Sequence, residues 1–240
     1  MTKDSTMGET VTIDTLSGDG QFSAYLVRPH AAPQGAVIVI QEIFGVNGGI
    51  RRKCDRLADD GYLAVAPDLF WRLQPGVDLD PDIPSQFNQA LDLMGRFDQD
   101  LGVGDIEAVI RFIRHAEGVE KVGAVGYCLG GRLAFMTAAR TDVDASVGYY
   151  AVGIDNLLRE KDAIAHPLLL HIAGDDGFVD KATQAVMHEG LDDHPKVTLL
   201  DYPGVDHGFA TEFGERRDDA QAQRADARTA AFLAEHLRGG

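Results

Sequence analysis

The sequence predicts an α/β fold, a doubly wound and mostly parallel central sheet with helices on both faces. Three observations carry this reading. Continuous apolar, β-branched-rich runs such as Gly35-Ala36-Val37-Ile38-Val39-Ile40 mark strands buried on both faces. These runs alternate with segments of helical periodicity, the signature of strands joined by right-handed crossovers. Finally, Val122 to Ala134 reads as a buried strand entering a helix through a glycine-flanked turn, Gly126-x-Cys128-x-Gly130.

Taken in order, Glu9 to Asp14 alternates Val11 and Ile13 with polar residues, and Phe22 to Val27 is a second short strand. Gly18-Asp19-Gly20 between them reads as a hairpin turn. The buried run ending at Ile40 feeds the loop Gln41 to Gly49. Ile50 to Asp60 is helical, with Ile50, Cys54, Leu57 and Ala58 on one face and Gly61 as the stop, which makes Cys54 a core residue. Tyr62 to Ala66 is the next buried strand. Leu69 to Pro84, rich in Pro, Gly and Asp, is long for a connection, and long connections tend to be functional. Ser85 to Phe97 reads as a helix, and Asp100 to Glu117 as a stronger one with Ile106, Val109, Ile110 and Ile113 on one face. After the strand–turn–helix come strands at Ala145 to Ala151, Pro167 to Ala173 and Val197 to Tyr202. Helices at Val179 to Leu191 and Asp218 to Leu237 complete the pattern. No repeat, low-complexity segment or linker interrupts it, so residues 1–240 read as one domain.

Composition narrows the partners. The 240 residues are 45% hydrophobic and 25% charged, values typical of globular chains. A formal charge of −16 argues against nucleic acid or an anionic membrane as partner, because both need a basic face. Two cysteines, Cys54 and Cys128, make neither a disulfide framework nor a metal-ligand spacing. No signal-peptide core is evident in Met1 to Thr12 and no long apolar run occurs, so a reducing cytoplasm is the expected setting. A monomer or small homo-oligomer acting on a small molecule, without metal or cofactor, is the corresponding expectation.

The chemistry centres on Cys128. In the nucleophile elbow Gly-x-Ser-x-Gly the nucleophile is exposed at the top of a sheet, and here a cysteine takes the serine's place. The alternative is a buried cysteine acting only as a small hydrophobe. An acyl-transfer site also needs a base and an acid to orient it, in the chain order nucleophile, acid, histidine. Of the histidines after Cys128, His171 lies inside a strand, His166 sits at a strand entrance, and His188, His194 and His236 fall on helices or surface turns. His207 lies in a loop past the C-terminal end of the last strand, where ligands bind in open α/β sheets. Asp175 and Asp176 both follow a strand, and spacing alone lets either be the acid while the other caps the following helix. Asp206, adjacent to His207, is the weaker candidate. Glu42 follows the strand 35–40; it is either a solvated loop residue or a carboxylate facing Cys128 that alters when the thiolate forms. The amides of Ile43 and Leu129 stand where elbow hydrolases place their oxyanion donors.

These residues resemble the dienelactone hydrolases, or carboxymethylenebutenolidases. The resemblance is carried by Gln41-Glu42-Ile43-Phe44-Gly45-Val46-Asn47, by Val125-Gly126-Tyr127-Cys128-Leu129-Gly130-Gly131, and by Gly204-x-x-His207-Gly208-Phe209-Ala210. It extends through Ala66-Pro67-Asp68-Leu69, Gly102-Val103-Gly104-Asp105 and Gly148 to Gly153. It implies an α/β-hydrolase fold and a triad of Cys128, His207 and Asp176. Asp176 is preferred over Asp175 because the family's acid sits two residues before Phe-Val, here Phe178-Val179. It further implies that Glu42 holds the resting thiol protonated until substrate displaces it.

One departure bears on substrate. Family members that act on dienelactone bind its carboxylate with two arginines, and the matching positions here are Phe87 and Thr211. The neighbouring aromatic positions are Leu91 and Met94. The pocket is therefore expected to be more apolar, drawing also on Phe44, Phe209, Trp71 and Arg72, with Arg72 the candidate to replace the lost cations. The expectation is a cysteine-dependent hydrolase of a lactone or carboxylic ester. The alternatives are a true carboxymethylenebutenolidase and a non-catalytic relative that binds a ligand or senses oxidants through Cys128.

Overall fold

The computed structural model describes residues 8–238. Residues 1–7, part of the N-terminus read above as lacking a signal-peptide core, lie outside the described residues, as do 239–240. The strands are β1 (Glu9–Asp14), β2 (Gln21–Val27), β3 (Ala36–Ile40), β4 (Leu63–Pro67), β5 (Val122–Tyr127), β6 (Ala145–Tyr149), β7 (Leu168–Ala173) and β8 (Val197–Tyr202). They form one sheet in the order β1-β2-β4-β3-β5-β6-β7-β8. The β1–β2 hairpin and the β2–β4 pair are antiparallel, and every other neighbour is parallel. The central strands β3 to β7 are buried along their whole length, as their unbroken apolar runs require. The outer strands are more open: β1 buries Ile13 between exposed neighbours, and β8 is buried at its ends, Val197 and Tyr202.

The helices are α1 (Gly48–Asp59), α2 (Pro84–Arg96), α3 (Gln99–Phe112), α4 (Leu129–Arg140), α5 (Lys181–Leu191) and α6 (Asp219–Leu237). Ile50, Cys54 and Ala58 of α1 join Ala222, Ala225 and Leu233 of α6 in the core on one face of the sheet. Ile106 and Ile110 of α3 join Leu133 and Phe135 of α4 on the other. Cys54 is fully buried there, as its place on the apolar face of α1 predicts.

Local chemistry explains where several elements differ from the expected bounds. The Asp180 carboxylate accepts from the Thr183 amide and caps α5, so the helix begins at Lys181 rather than Val179. The helix expected over Asp100 to Glu117 is α-helical only to Phe112; its last turn, Ile113–Glu117, widens to a π-helical turn. A run of 3₁₀ turns over Ile154–Ala163 was absent from the sequence reading.

Strand order positions the site. From β3 the chain moves through α1 to β4 on one side, then returns past β3 to pair β5 on the other. The loops leaving the C-terminal ends of β3 and β5 therefore diverge, and ligands bind in such a crevice in open α/β sheets. Glu42 stands on the first loop and Cys128 on the second. The long connection after β4 is fastened beside them, because the Leu79 amide donates to the Phe44 carbonyl over 3.0 Å. The buried Asp68 carboxylate accepts from the amides of Phe70 and Gly76, which folds the start of that connection back on itself.

Candidate active site

Cys128 occupies the turn between β5 and α4 with φ 56° and ψ −114°, a backbone conformation that costs a non-glycine residue on the order of 1–3 kcal/mol. Its amide is held by the Tyr149 carbonyl at 3.0 Å. Two glycines make the turn possible. A Cβ at Gly126 would collide with the Gly130 carbonyl, and one at Gly130 with the carbonyls of Ile40 and Gln41. The start of α4 thus packs on the strand ends at backbone distance. Cys128 makes no side-chain cap to its own helix, and unlike Cys54 it is partly exposed.

His207 lies in the loop after β8, and its Nδ1 is 2.9 Å from Asp176 Oδ2 and 3.1 Å from Oδ1. Both side chains are buried, at 7% and 2% exposure. Asp176 Oδ1 also accepts from the Phe178 and Val179 amides, so one residue both faces the histidine and caps the turn. Asp175 instead points outward, 62% exposed, toward Lys181. Asp206 has a different task. Its Oδ1 accepts from the Gly177 amide at 2.7 Å and the His207 amide at 2.6 Å, tying the two loops together. Those amides outweigh its burial and hold the Asp206 carboxyl below the usual range.

The His207 ring is clamped edge-on between Tyr150 (5.0 Å) and Phe178 (4.9 Å). Burial alone would lower its pKa, but beside an ionised Cys128 the hydrogen bonds and charges of Asp176 and Cys128 raise it to about 10. With Nδ1 committed to Asp176, Nε2 is the nitrogen left for Cys128. His171 behaves differently: its Nδ1 meets Tyr202 Oη and its Nε2 meets Thr229 Oγ1, all inside the core. Burial drops its pKa to about 3, so it is a neutral structural residue.

Glu42 lines the cavity at Cys128, and burial raises its carboxyl above the usual range. His207, Lys53, Tyr150 and Arg216 oppose that rise. Among the described residues the Tyr150 hydroxyl has no partner in ordinary hydrogen-bond geometry, but it stands close enough to act on this carboxyl. The fully buried Gln41, to which sequence reasoning assigned no task, fixes the loop: its Nε2 donates to the Glu42 carbonyl and its Oε1 accepts from the Leu69 amide. This holds the peptide units around Glu42 and Ile43. The Leu129 amide is the first of α4, where helix N–H groups have no intrahelical partner.

A cavity of about 240 Å³ opens over Cys128 and His207. Its walls include Phe44, Phe87, Leu91, Met94 and Thr211, all expected from the sequence. The Thr211 hydroxyl is buried there and finds no hydrogen-bond partner among the described residues. Phe178, Phe213 and Val152 add apolar surface that the sequence reading did not single out.

Three expected pocket residues do not line this cavity. Trp71 Nε1 donates to Asp105 Oδ2 at 2.9 Å and Arg72 Nη2 to Asp105 Oδ1 at 3.1 Å, so the buried carboxylate of α3 draws both away. Phe209 is fully buried between Tyr150 and Tyr202. Nor is the cavity free of cations, because Arg216 lines it and lies 5.8 Å over the Phe178 ring. No motif or periodicity marks that arginine. It reaches the pocket only because the segment after His207 folds back over the cavity.

The comparisons with known proteins agree with this architecture. Residues 22–237 match the model of the dienelactone hydrolase family. An Azospirillum brasilense homologue is 44% identical over 223 residues, covering 91% of this chain and 95% of its own. The carboxymethylenebutenolidase of Pseudomonas putida is 42% identical over 224 residues, covering 92% and 95%. A solved Klebsiella pneumoniae structure superposes with a TM-score of 0.82 at 27% identity, over 96% of this chain and 100% of that one. With its mostly parallel sheet and an elbow after β5, the chain belongs to the dienelactone hydrolase family of α/β-hydrolases, enzymes that cleave lactones and carboxylic esters.

Proposed function

We propose that this hydrolase works through Cys128 as nucleophile, His207 as base and Asp176 as the group that orients the base, on a neutral lactone or carboxylic ester. The observation that carries the reading is the His207–Asp176 pair, buried and aligned at 2.9 Å beside a cysteine held on a strained elbow. Nε2 of His207 takes the proton of the Cys128 thiol, and the thiolate attacks the carbonyl carbon. The tetrahedral oxyanion is held by the amides of Ile43 and Leu129, donors typically worth about 3 kcal/mol each. Collapse breaks the C–O bond, and His207 returns its proton to the departing alkoxide. Water, deprotonated by His207, then attacks the thioester and releases the acid and the free thiol. Glu42 acts before this cycle, holding the resting thiol protonated until substrate displaces it.

The cavity supports a neutral substrate. By the family resemblance, Phe87 and Thr211 take the positions of the carboxylate-binding arginines; both line the cavity, whose walls are mainly aromatic and aliphatic. Arg216 favours the second reading, a carboxylated lactone, and it sits on an exposed segment where solvent screens its charge. A panel of neutral and carboxylated esters and lactones, assayed on wild type and Cys128→Ala, tests both. The neutral reading expects higher kcat/KM on the uncharged members; ester hydrolysis unchanged in Cys128→Ala would overturn the mechanism.

A further inference from the structure

Lys53 is a buried cation that the mechanism above does not use. It sits on α1 with a side-chain exposure of 7%, and its Nζ donates to the Ala210 carbonyl at 2.8 Å and to Glu212 Oε1 at 3.2 Å. It also lies 4.1 Å from the centroid of the Tyr127 ring, the residue before Cys128. Ala210 and Glu212 follow His207 by three and five residues. Lys53 therefore pins the chain leaving the catalytic loop against α1. A second cavity, about 320 Å³, adjoins the one over Cys128, and Lys53 and Glu42 both line it.

The charged and titratable groups around Glu42 come from every neighbouring element. Cys128 and Tyr127 stand at the elbow, Tyr150 follows β6, and His207, Glu212 and Arg216 follow β8. Asp78, Asp80 and Asp82 come from the connection before α2, and Lys53 from α1. Three of these carry positive charge. His207 gains and loses its proton during turnover, and Arg216 is exposed to screening solvent. Lys53 is both buried and outside the reacting atoms, and two hydrogen bonds fix it.

We propose that Lys53 is a positioning residue for the reaction: its fixed ammonium keeps Glu42 ionised beside Cys128 in the resting enzyme, and its bonds to Ala210 and Glu212 hold the His207 loop in register with that carboxylate. The proposal rests on the reading of Glu42 as the partner of the resting thiol. Physically, burial favours the neutral carboxyl, and a cation close by restores the charged one; a nearby opposite charge is typically worth about 1–3 pH units. Glu212 does not depend on Lys53 for its partner, because Arg56 Nη1 binds the same oxygen at 2.6 Å. Removing the lysine thus leaves no unpaired carboxylate at Glu212.

The test follows the Glu42 carboxyl directly, by NMR of side-chain-labelled ¹³C-glutamate protein, with the Glu42 signal identified by its loss in Glu42→Gln. Lys53→Met is expected to raise the titration midpoint of Glu42 by about one pH unit or more. The acid limb of kcat/KM should move up with it, and Lys53→Arg should restore both. Lys53→Gln, which keeps a donor for the Ala210 carbonyl, is read in the same way if the methionine variant does not fold. A midpoint unmoved in a natively folded Lys53→Met or Lys53→Gln protein overturns the proposal, whatever Glu42 does in catalysis. Wild-type kcat/KM and pH profile in Glu42→Gln overturn the underlying reading of Glu42 instead, and with it any part for Lys53 in the reaction.

Discussion

Asp176 meets His207 with its carboxylate while the same carboxylate closes the turn that carries it, through the amides of Phe178 and Val179. Orientation of the His207 ring and the shape of the loop that carries Asp176 therefore share one side chain. Asp176→Asn keeps the size and an acceptor for the turn but removes the charge opposite the imidazole. It is expected to lower kcat/KM by about 10²–10⁴-fold, by analogy with the loss of the orienting acid in other triads. The melting temperature should fall far less than in Asp176→Ala, which also strands two amides. Steady-state kinetics and thermal melts on the two variants check this.

The partners of His207 set its titration. Cys128→Ala removes one of the two groups that hold its pKa near 10 and should bring the midpoint down toward the ordinary histidine value of 6.5. Histidine-ring NMR against pH reads this directly. The folded value lies above the unfolded one, so the stabilisation is complete below about pH 6.5 and is lost as pH rises toward 10. Denaturant melts from pH 6 to 10 should show that decline in wild type and a flatter profile in His207→Gln.

His171 predicts the opposite slope in acid. It is neutral in the fold with a pKa near 3, whereas the unfolded chain binds a proton near pH 6.5. Its contribution is present above pH 6.5 and is lost as pH falls toward 3. His171→Gln is expected to be less stable at neutral pH, because Tyr202 and Thr229 lose an imidazole partner, yet to lose less stability between pH 6.5 and 4. Urea melts at a series of pH values separate the two effects.

Gly130→Ala tests the close approach beneath the elbow. Its Cβ would meet the carbonyls of Ile40 and Gln41, and overpacking of this kind costs about 1–3 kcal/mol. Activity should fall further than stability alone explains, because the same shift moves Leu129 and Cys128. Fraction folded and kcat, measured together at one temperature, distinguish the two losses.

Arg216 brings a guanidinium to the cavity wall. Arg216→Ala should lower the ratio of kcat/KM for carboxylated over neutral esters, by about tenfold if the guanidinium meets the substrate carboxylate. An unchanged ratio would mean that this arginine does not contact the substrate.

How much of this could be read before folding depends on the range of the interaction concerned. The runs Ala36–Ile40 and Val122–Tyr127 announce buried parallel strands because side-chain alternation and burial are local properties. Cys128 stands out for the same reason, since the glycines that permit its backbone are two residues away on either side. His207 was legible from its place after the last strand. Asp176 and Asp175 were not separable by position alone, because they are adjacent and the choice depends on which one turns inward toward a loop about thirty residues later; only the family resemblance favoured Asp176.

Sequence alone thus determined the strands, the elbow and the loops that carry Cys128, Asp176 and His207, all set by patterns spanning a few residues. Tertiary structure alone decided what those loops face. Asp105 draws Trp71 and Arg72 away from the pocket, the return of the 211–217 segment brings Arg216 to it, and α1 sets Lys53 against the chain that follows His207. Each of these depends on pairings between residues more than thirty positions apart or on the path of an irregular loop. Neither leaves a period of two or 3.6 for the sequence to display.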